Sequence, residues 1–124
     1  MKMIHAYVRS AMAGHVLEAL LERGCAAVSV VEVRGVSPGL RQEEYSFSIS
    51  LAQPVEPMVK LEIVGSDAEV GDWVDLIART ASTGTLGDGM VFVTPVETAV
   101  RIGTGARGDA ALPAPGTRGP DPRA

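Results

Sequence analysis

Residues 59–93 read VKLEIVGSDAEVGDWVDLIARTASTGTLGDGMVFV, and this stretch decides the fold. Val59, Leu61 and Ile63 alternate with Lys60 and Glu62, the period of a strand with one face in a core. Ser66-Asp67-Ala68-Glu69 has the composition of a capping box, the serine covering free amides and the glutamate reaching back. Val70, Trp73, Val74, Ile77, Ala78 and Ala81 follow at the spacing of one helix face. Gly84 is expected to end that helix, and Gly87-Asp88-Gly89 to make a tight turn into a strand over Met90–Thr94. The stretch is one β-α-β unit.

Upstream the same order recurs. Met3–Val8 is a short apolar strand, and Ala11–Arg23 places Met12, Val16, Ala19 and Leu20 on one helical face before Gly24. Cys25–Arg34 is rich in β-branched residues and reads as a second strand closed by Gly35. Two β-α-β halves predict an α+β, ferredoxin-like βαββαβ sandwich with two helices on one face of an antiparallel sheet. Between the halves lies a long excursion, Val36–Pro57. It opens with Ser37-Pro38-Gly39, runs through an alternating strip from Tyr45 to Leu51, and is interrupted by Pro54 and Pro57. Loops this long inside a small domain are commonly functional or disordered, so function is expected here.

Composition bounds the rest. The chain has 124 residues, 46% hydrophobic and 21% charged, the make-up of one ordinary globular domain. One cysteine excludes an intramolecular disulfide and a multi-thiolate metal site. A net charge of -4 argues against a nucleic-acid binder, whose affinity comes mainly from phosphate neutralisation. No apolar run approaches a membrane span and no signal peptide is evident, so a cytoplasmic location is expected. Residues 105–124 hold four of the eight prolines and carry net +1. They read as a flexible Pro/Gly-rich tail, leaving a folded domain over 1–104 at net -5. Past Pro95, Val96–Ile102 reads as a further short extended piece.

An enzyme is not expected. No Ser-His-Asp set, Cys-His pair or HExxH stands out, and Asp88 alone is a poor base. Cys25 reads as a small core residue, and His5 and His15 as scattered structural residues rather than metal ligands. Gly87 and Gly89 do carry a chemical signal, because glycines let backbone N–H groups approach phosphate oxygens closely. Taken alone, the same three residues read first as a plain turn after a helix.

The sequence resembles the PII signal-transduction proteins. The matching pieces are Met1-Lys2-Met3-Ile4, Glu32-Val33-Arg34-Gly35, Val59–Val64, Ala81–Gly89 with Val91-Phe92-Val93, and Val100-Arg101-Ile102. The run Thr-Gly-x-x-Gly-Asp-Gly ahead of a Phe-Val strand is the specific one, and it separates this chain from small-molecule sensor modules of the same fold class. The resemblance implies a homotrimer with adenine-nucleotide sites in the clefts between subunits. It makes residues 36–57 the T-loop, which docks onto a target protein, a membrane transporter or an enzyme. It implies nucleotide contacts at Ser29, Gly35, Glu62, Val64, Thr83, Gly87, Asp88, Gly89 and Arg101, with Arg101 reaching a neighbour's phosphate. For Glu62, a plain exposed strand position stays open beside the pocket role.

Departures from the family pattern sharpen the expectation. Met90 stands where a lysine is usual, and Gly103 where a second arginine is usual. Each absent cation removes a charge-assisted phosphate bond, so ADP or AMP is expected to be favoured over ATP. Met58 stands where the lysine for 2-oxoglutarate is usual, while Arg41-Gln42 resembles a displaced loop-base pair. Similarity to the divergent, carboxysome-associated branch implies bicarbonate as second effector, with Arg41 and Gln42 as donors. The alternatives are a conventional nitrogen regulator sensing ATP/ADP and 2-oxoglutarate, or a metal-linked relative.

Overall fold

A computed structural model of the chain describes residues 1–36 and 46–114. Five strands form one sheet: β1 (Lys2–Arg9), β2 (Ser29–Gly35), β3 (Ser46–Ser48), β4 (Gln53–Gly65) and β5 (Gly89–Pro95). Its order is β2-β4-β1-β5, all antiparallel, with β3 paired to the start of β4. Helices α1 (Ser10–Glu22) and α2 (Asp67–Ala81) cover one face. This is the α+β, ferredoxin-like arrangement expected from the residue pattern.

The core follows from two periodicities. Ile4, Ala6 and Val8 of β1 and Val59, Leu61 and Ile63 of β4 point towards the helices. They meet Ala13, Val16 and Leu20 of α1 and Val70, Trp73, Leu76, Ile77 and Ala81 of α2. Leu76 is in the core where the spacing of Val74 and Ala78 pointed to those two; Val74 is half-buried and Ala78 exposed. α1 ends in a Schellman arrangement, in which Cys25 N–H donates to Leu20 O at 3.0 Å and Gly24 N–H to Leu21 O at 3.2 Å.

Several expectations are corrected. Ser66 holds the N-cap position, but its side chain makes no capping hydrogen bond; the Glu69 and Val70 amides bond the Ser66 carbonyl instead. α2 ends at Ala81, three residues before Gly84, with Ser82 already extended. β2 begins at Ser29 rather than Cys25. The excursion is shorter at its C-terminal side than 36–57, because residues 53–57 are the first residues of β4. Pro54 and Pro57 fit there because β1 stops opposite Met58, leaving that stretch flanked on one side only. The alternating strip forms only three strand residues, and Ile49–Ala52 turn the hairpin, with Ile49 almost fully exposed.

Past β5 the expected extended piece is reduced to one bridge, Val100 to Arg107. Hydrogen-bonded structure therefore runs through residue 104, and a 3₁₀ turn follows over Gly108–Ala111. Leu112 and Pro113 close a small cavity lined by Cys25, Val64 and Trp73. The rest of the predicted tail, 115–124, lies outside the described residues.

Candidate functional site

The sheet register builds the site. Arg9 is the last residue of β1, a strand flanked by β4 and β5. It pairs with Met58, so Glu56 stands diagonally across on β4, within reach of a long side chain. On the other side Val8 pairs with Gly89, which sets Asp88 beside Arg9. One guanidinium thus lies between two carboxylates that are distant in sequence.

All three of its nitrogens donate. Arg9 Nη1 donates to Glu56 Oε1 at 2.8 Å and Nε to Asp88 Oδ1 at 3.1 Å. Nη2 donates to the Leu86 carbonyl at 2.6 Å and to Thr85 Oγ1 at 3.4 Å. Arg9 is 9% exposed and Glu56 6%, so the pair is dry, while Asp88 reaches the surface. Arg9 supplies +1 against two carboxylates, so these three side chains together carry one net negative charge.

Asp88 organises the 82–89 turn from within. Its Oδ2 accepts the Thr83 N–H at 2.7 Å, and its Oδ1 accepts the hydroxyls of Thr83 and Thr85. Partial burial pushes the Asp88 carboxyl up. The Thr83 hydroxyl and amide and the Arg9 guanidinium outweigh that and hold it below its ordinary 3.8. Gly89 has φ +120°, and a Cβ there would fall 1.8 Å from the Tyr7 carbonyl oxygen, so no side chain fits. At Gly87, φ +89°, a Cβ would press on Arg9 Nη2 at 3.1 Å. Beside the turn, a groove of about 320 Å³ opens between the end of α2 and the start of β5, lined in part by Tyr7, Ile77, Ser82, Asp88 and Met90.

The nominated residues separate into groups. Thr83, Gly87, Asp88 and Gly89 come together in the turn, and Gly35 is near because it pairs with Glu56. Ser29 pairs with Glu62 six residues further along β2, roughly 20 Å away by strand rise. Glu62 faces Lys60 at 3.8 Å, and Val64 lies beyond it beside the C-terminal segment. Arg101 sits in a separate exposed turn, its N–H donating to the Ala106 carbonyl at 2.8 Å, and no described side chain bonds its guanidinium. Arg41 and Gln42 lie outside the described residues. No cluster of three or more His, Cys, Asp or Glu able to hold a metal is found among the described residues. Among them also, no helix is long and apolar enough to cross a membrane.

Arg9 and Glu56 were invisible to sequence reasoning. Arg9 reads as the polar end of an apolar strand, and Glu56 as one residue of a proline-interrupted loop. Their partnership exists only through the register of β4 on β1.

Comparison with known proteins identifies the family. The family model described as nitrogen regulatory protein P-II matches residues 1–106. Nitrogen regulatory protein P-II of Klebsiella oxytoca is 39% identical over 112 residues, 90% of this chain and all of that protein. Nitrogen regulatory protein P-II 1 of Escherichia coli K12 is also 39% identical, and the Azospirillum brasilense protein 37%, each over the same shares. With nine-tenths of its length aligned and its β-α-β halves in place, the chain belongs to the P-II family, whose members are signalling regulators and not enzymes.

Proposed function

We propose that this protein is a cytoplasmic P-II signalling subunit that binds adenine nucleotide with its 82–89 turn against the phosphates and favours ADP or AMP over ATP. The observation that carries the reading is the charge around the turn. Asp88 and Glu56 outnumber Arg9 beneath it, Met90 follows it, and Gly103 lies in the open turn of Arg101. Backbone amides and glycines suit one or two phosphates, whereas each further phosphate adds negative charge with no new cation to meet it. Losing two charge-assisted contacts costs on the order of 1.5–3 kcal/mol apiece, and ATP has most to lose.

The nucleotide bridges two copies of the chain. Ser29, Glu62 and Val64 lie too far along the same sheet to share a nucleotide with Gly87–Gly89 of one copy, and Arg101 lies in a separate exposed turn. A homotrimer with clefts between neighbours unites the three groups. It also covers the sheet face opposite the helices, where Met90 and Phe92 are exposed and Tyr7 is half-buried. Residues 36–52 act as the docking loop for a transporter or an enzyme, with bicarbonate as second effector at Arg41 and Gln42.

Isothermal titration calorimetry tests the preference. ADP is expected to bind at least tenfold tighter than ATP, about 1.4 kcal/mol; ATP binding tighter than ADP overturns the reading. The names of the relatives favour a second reading, a nitrogen regulator, for which the family resemblance implies 2-oxoglutarate as effector. Met58 is buried and apolar within β4, opposite the end of β1. Titrating 2-oxoglutarate and bicarbonate separately into the nucleotide complex distinguishes the two: bicarbonate heat alone supports the first, 2-oxoglutarate heat alone the second.

A further inference from the structure

We propose that Leu112 is a positioning residue that anchors the Arg101 hairpin to the end of the sheet carrying Ser29, Glu62 and Val64, so that these residues act as one half-site. Residues 99–108 form the hairpin. The Gly108 N–H donates to the Ala99 carbonyl at 2.9 Å, and the Arg101 N–H to the Ala106 carbonyl at 2.8 Å. The Gly105 N–H donates to the Arg101 carbonyl at 2.8 Å, and Val100 and Arg107 form a bridge. Among the described residues, no backbone hydrogen bond runs from 99–108 to the rest of the molecule. These bonds fix the hairpin's shape, and its place is set where the chain enters and leaves it. On entry, the Val96 N–H donates to the Met1 carbonyl at 3.1 Å. On exit, the 3₁₀ turn over Gly108–Ala111 delivers Leu112 to the body of the domain.

Leu112 is suited to that task. It is the one leucine, isoleucine, valine, methionine or aromatic residue between 105 and 124. Pro113 disfavours helical backbone at the residue before it, and Leu112 is extended, with φ -70° and ψ 147°. The side chain is half-buried at a cavity of about 30 Å³ lined also by Cys25, Ala27, Val64, Gly65 and Trp73. That volume is far below a ligand site, so the segment is packed onto a wall and leaves no pocket beneath it. Ala27 stands two residues before Ser29, Val64 two after Glu62, and Ser29 pairs with Glu62. The anchor is therefore a single strand step from both. A lone two-stranded hairpin is marginal in water, so an unanchored one frays and its arginine wanders. Holding it before the ligand arrives spares the cost of ordering that side chain on binding. The nucleotide consequence rests on the proposed function, in which Arg101 meets a phosphate; the anchoring does not.

Amide hydrogen exchange on the full chain without nucleotide tests the anchoring, and ADP calorimetry the consequence. Leu112→Ser removes the apolar anchor and Leu112→Met keeps its bulk. The serine variant is expected to raise exchange at the Arg101, Gly105 and Gly108 amides while β4 and α2 stay protected, and to weaken ADP on the order of tenfold. The methionine variant should match the unaltered chain in both readouts. With Arg101→Ala already in place, Leu112→Ser should weaken ADP no further, because both act through one guanidinium. Unchanged exchange at the three amides, a uniform rise across all elements, or a methionine variant as loose as the serine one overturns the anchoring. Additive losses, or an Arg101→Ala variant that binds ADP like the unaltered chain, overturn the half-site. If the unaltered chain binds no ADP, the proposed function fails and the exchange arm still decides the anchoring.

Discussion

Gly89 and Asp88 show what one residue decides in this protein. A Cβ at Gly89 would sit inside the van der Waals radius of a backbone oxygen in the central strand, and the positive φ strains any L side chain besides. Gly89→Ala is expected to destabilise the fold by at least ~3 kcal/mol, measured as a lowered urea midpoint with Trp73 fluorescence. Asp88 acts through its charge. Its folded value lies below the ordinary 3.8, so its stabilisation is complete above that value and is lost as the pH falls through the lowered one. Asp88→Asn should therefore lower stability at pH 7 and flatten part of the acid limb below about pH 4; an acid limb of unchanged steepness refutes the assignment. Gly87-Asp88-Gly89 was legible in the sequence because glycine spacing is local. What Asp88 bonds was half legible: Thr83 is five residues away, whereas Arg9 is seventy-nine.

Among the elements, α2 separates pattern from detail. Its apolar period placed its start and most of its buried face, because burial of one face fixes the helix, whereas the end expected at Gly84 comes at Ala81. The capping box was legible as composition but not as geometry. The Ser66 hydroxyl makes no bond to the first turn, while Met1 places its amino group 3.3 Å from Asp67. Ser66→Ala is accordingly expected to cost under about 0.5 kcal/mol, below the ~1 kcal/mol usual for an N-cap serine. Ile77→Ala, at a fully buried core position, should cost about 2–5 kcal/mol. Thermal melts of the two variants rank them, and similar losses would contradict the cap geometry. The start of β4 was misread for a physical reason: Pro54 and Pro57 forbid a central strand, and nothing local says that this stretch has only one neighbour.

At the scale of the whole molecule, the antiparallel sheet with two helices on one face followed from two β-α-β halves, while the site did not, because its groups are divided along the sheet and between turns. Assembly is expected to reunite them and to bury the apolar residues of the open face, where Tyr7 meets Phe92 edge-on at 6.2 Å and Lys60 lies 5.7 Å over the Tyr7 ring. Apparent melting temperature should then rise with protein concentration, and sedimentation should give three subunits; a concentration-independent monomer contradicts the trimer. The central place of β1 has another consequence, this one in time. The first strand to leave the ribosome is the one whose two partners, residues 58–65 and 89–95, are made last. At ~5–20 residues per second, Ile4, Ala6 and Val8 pass several seconds with no sheet to join. Nascent chains stalled before residue 89 should therefore leave one side of β1 open to chaperones, and only completion of β5 closes it.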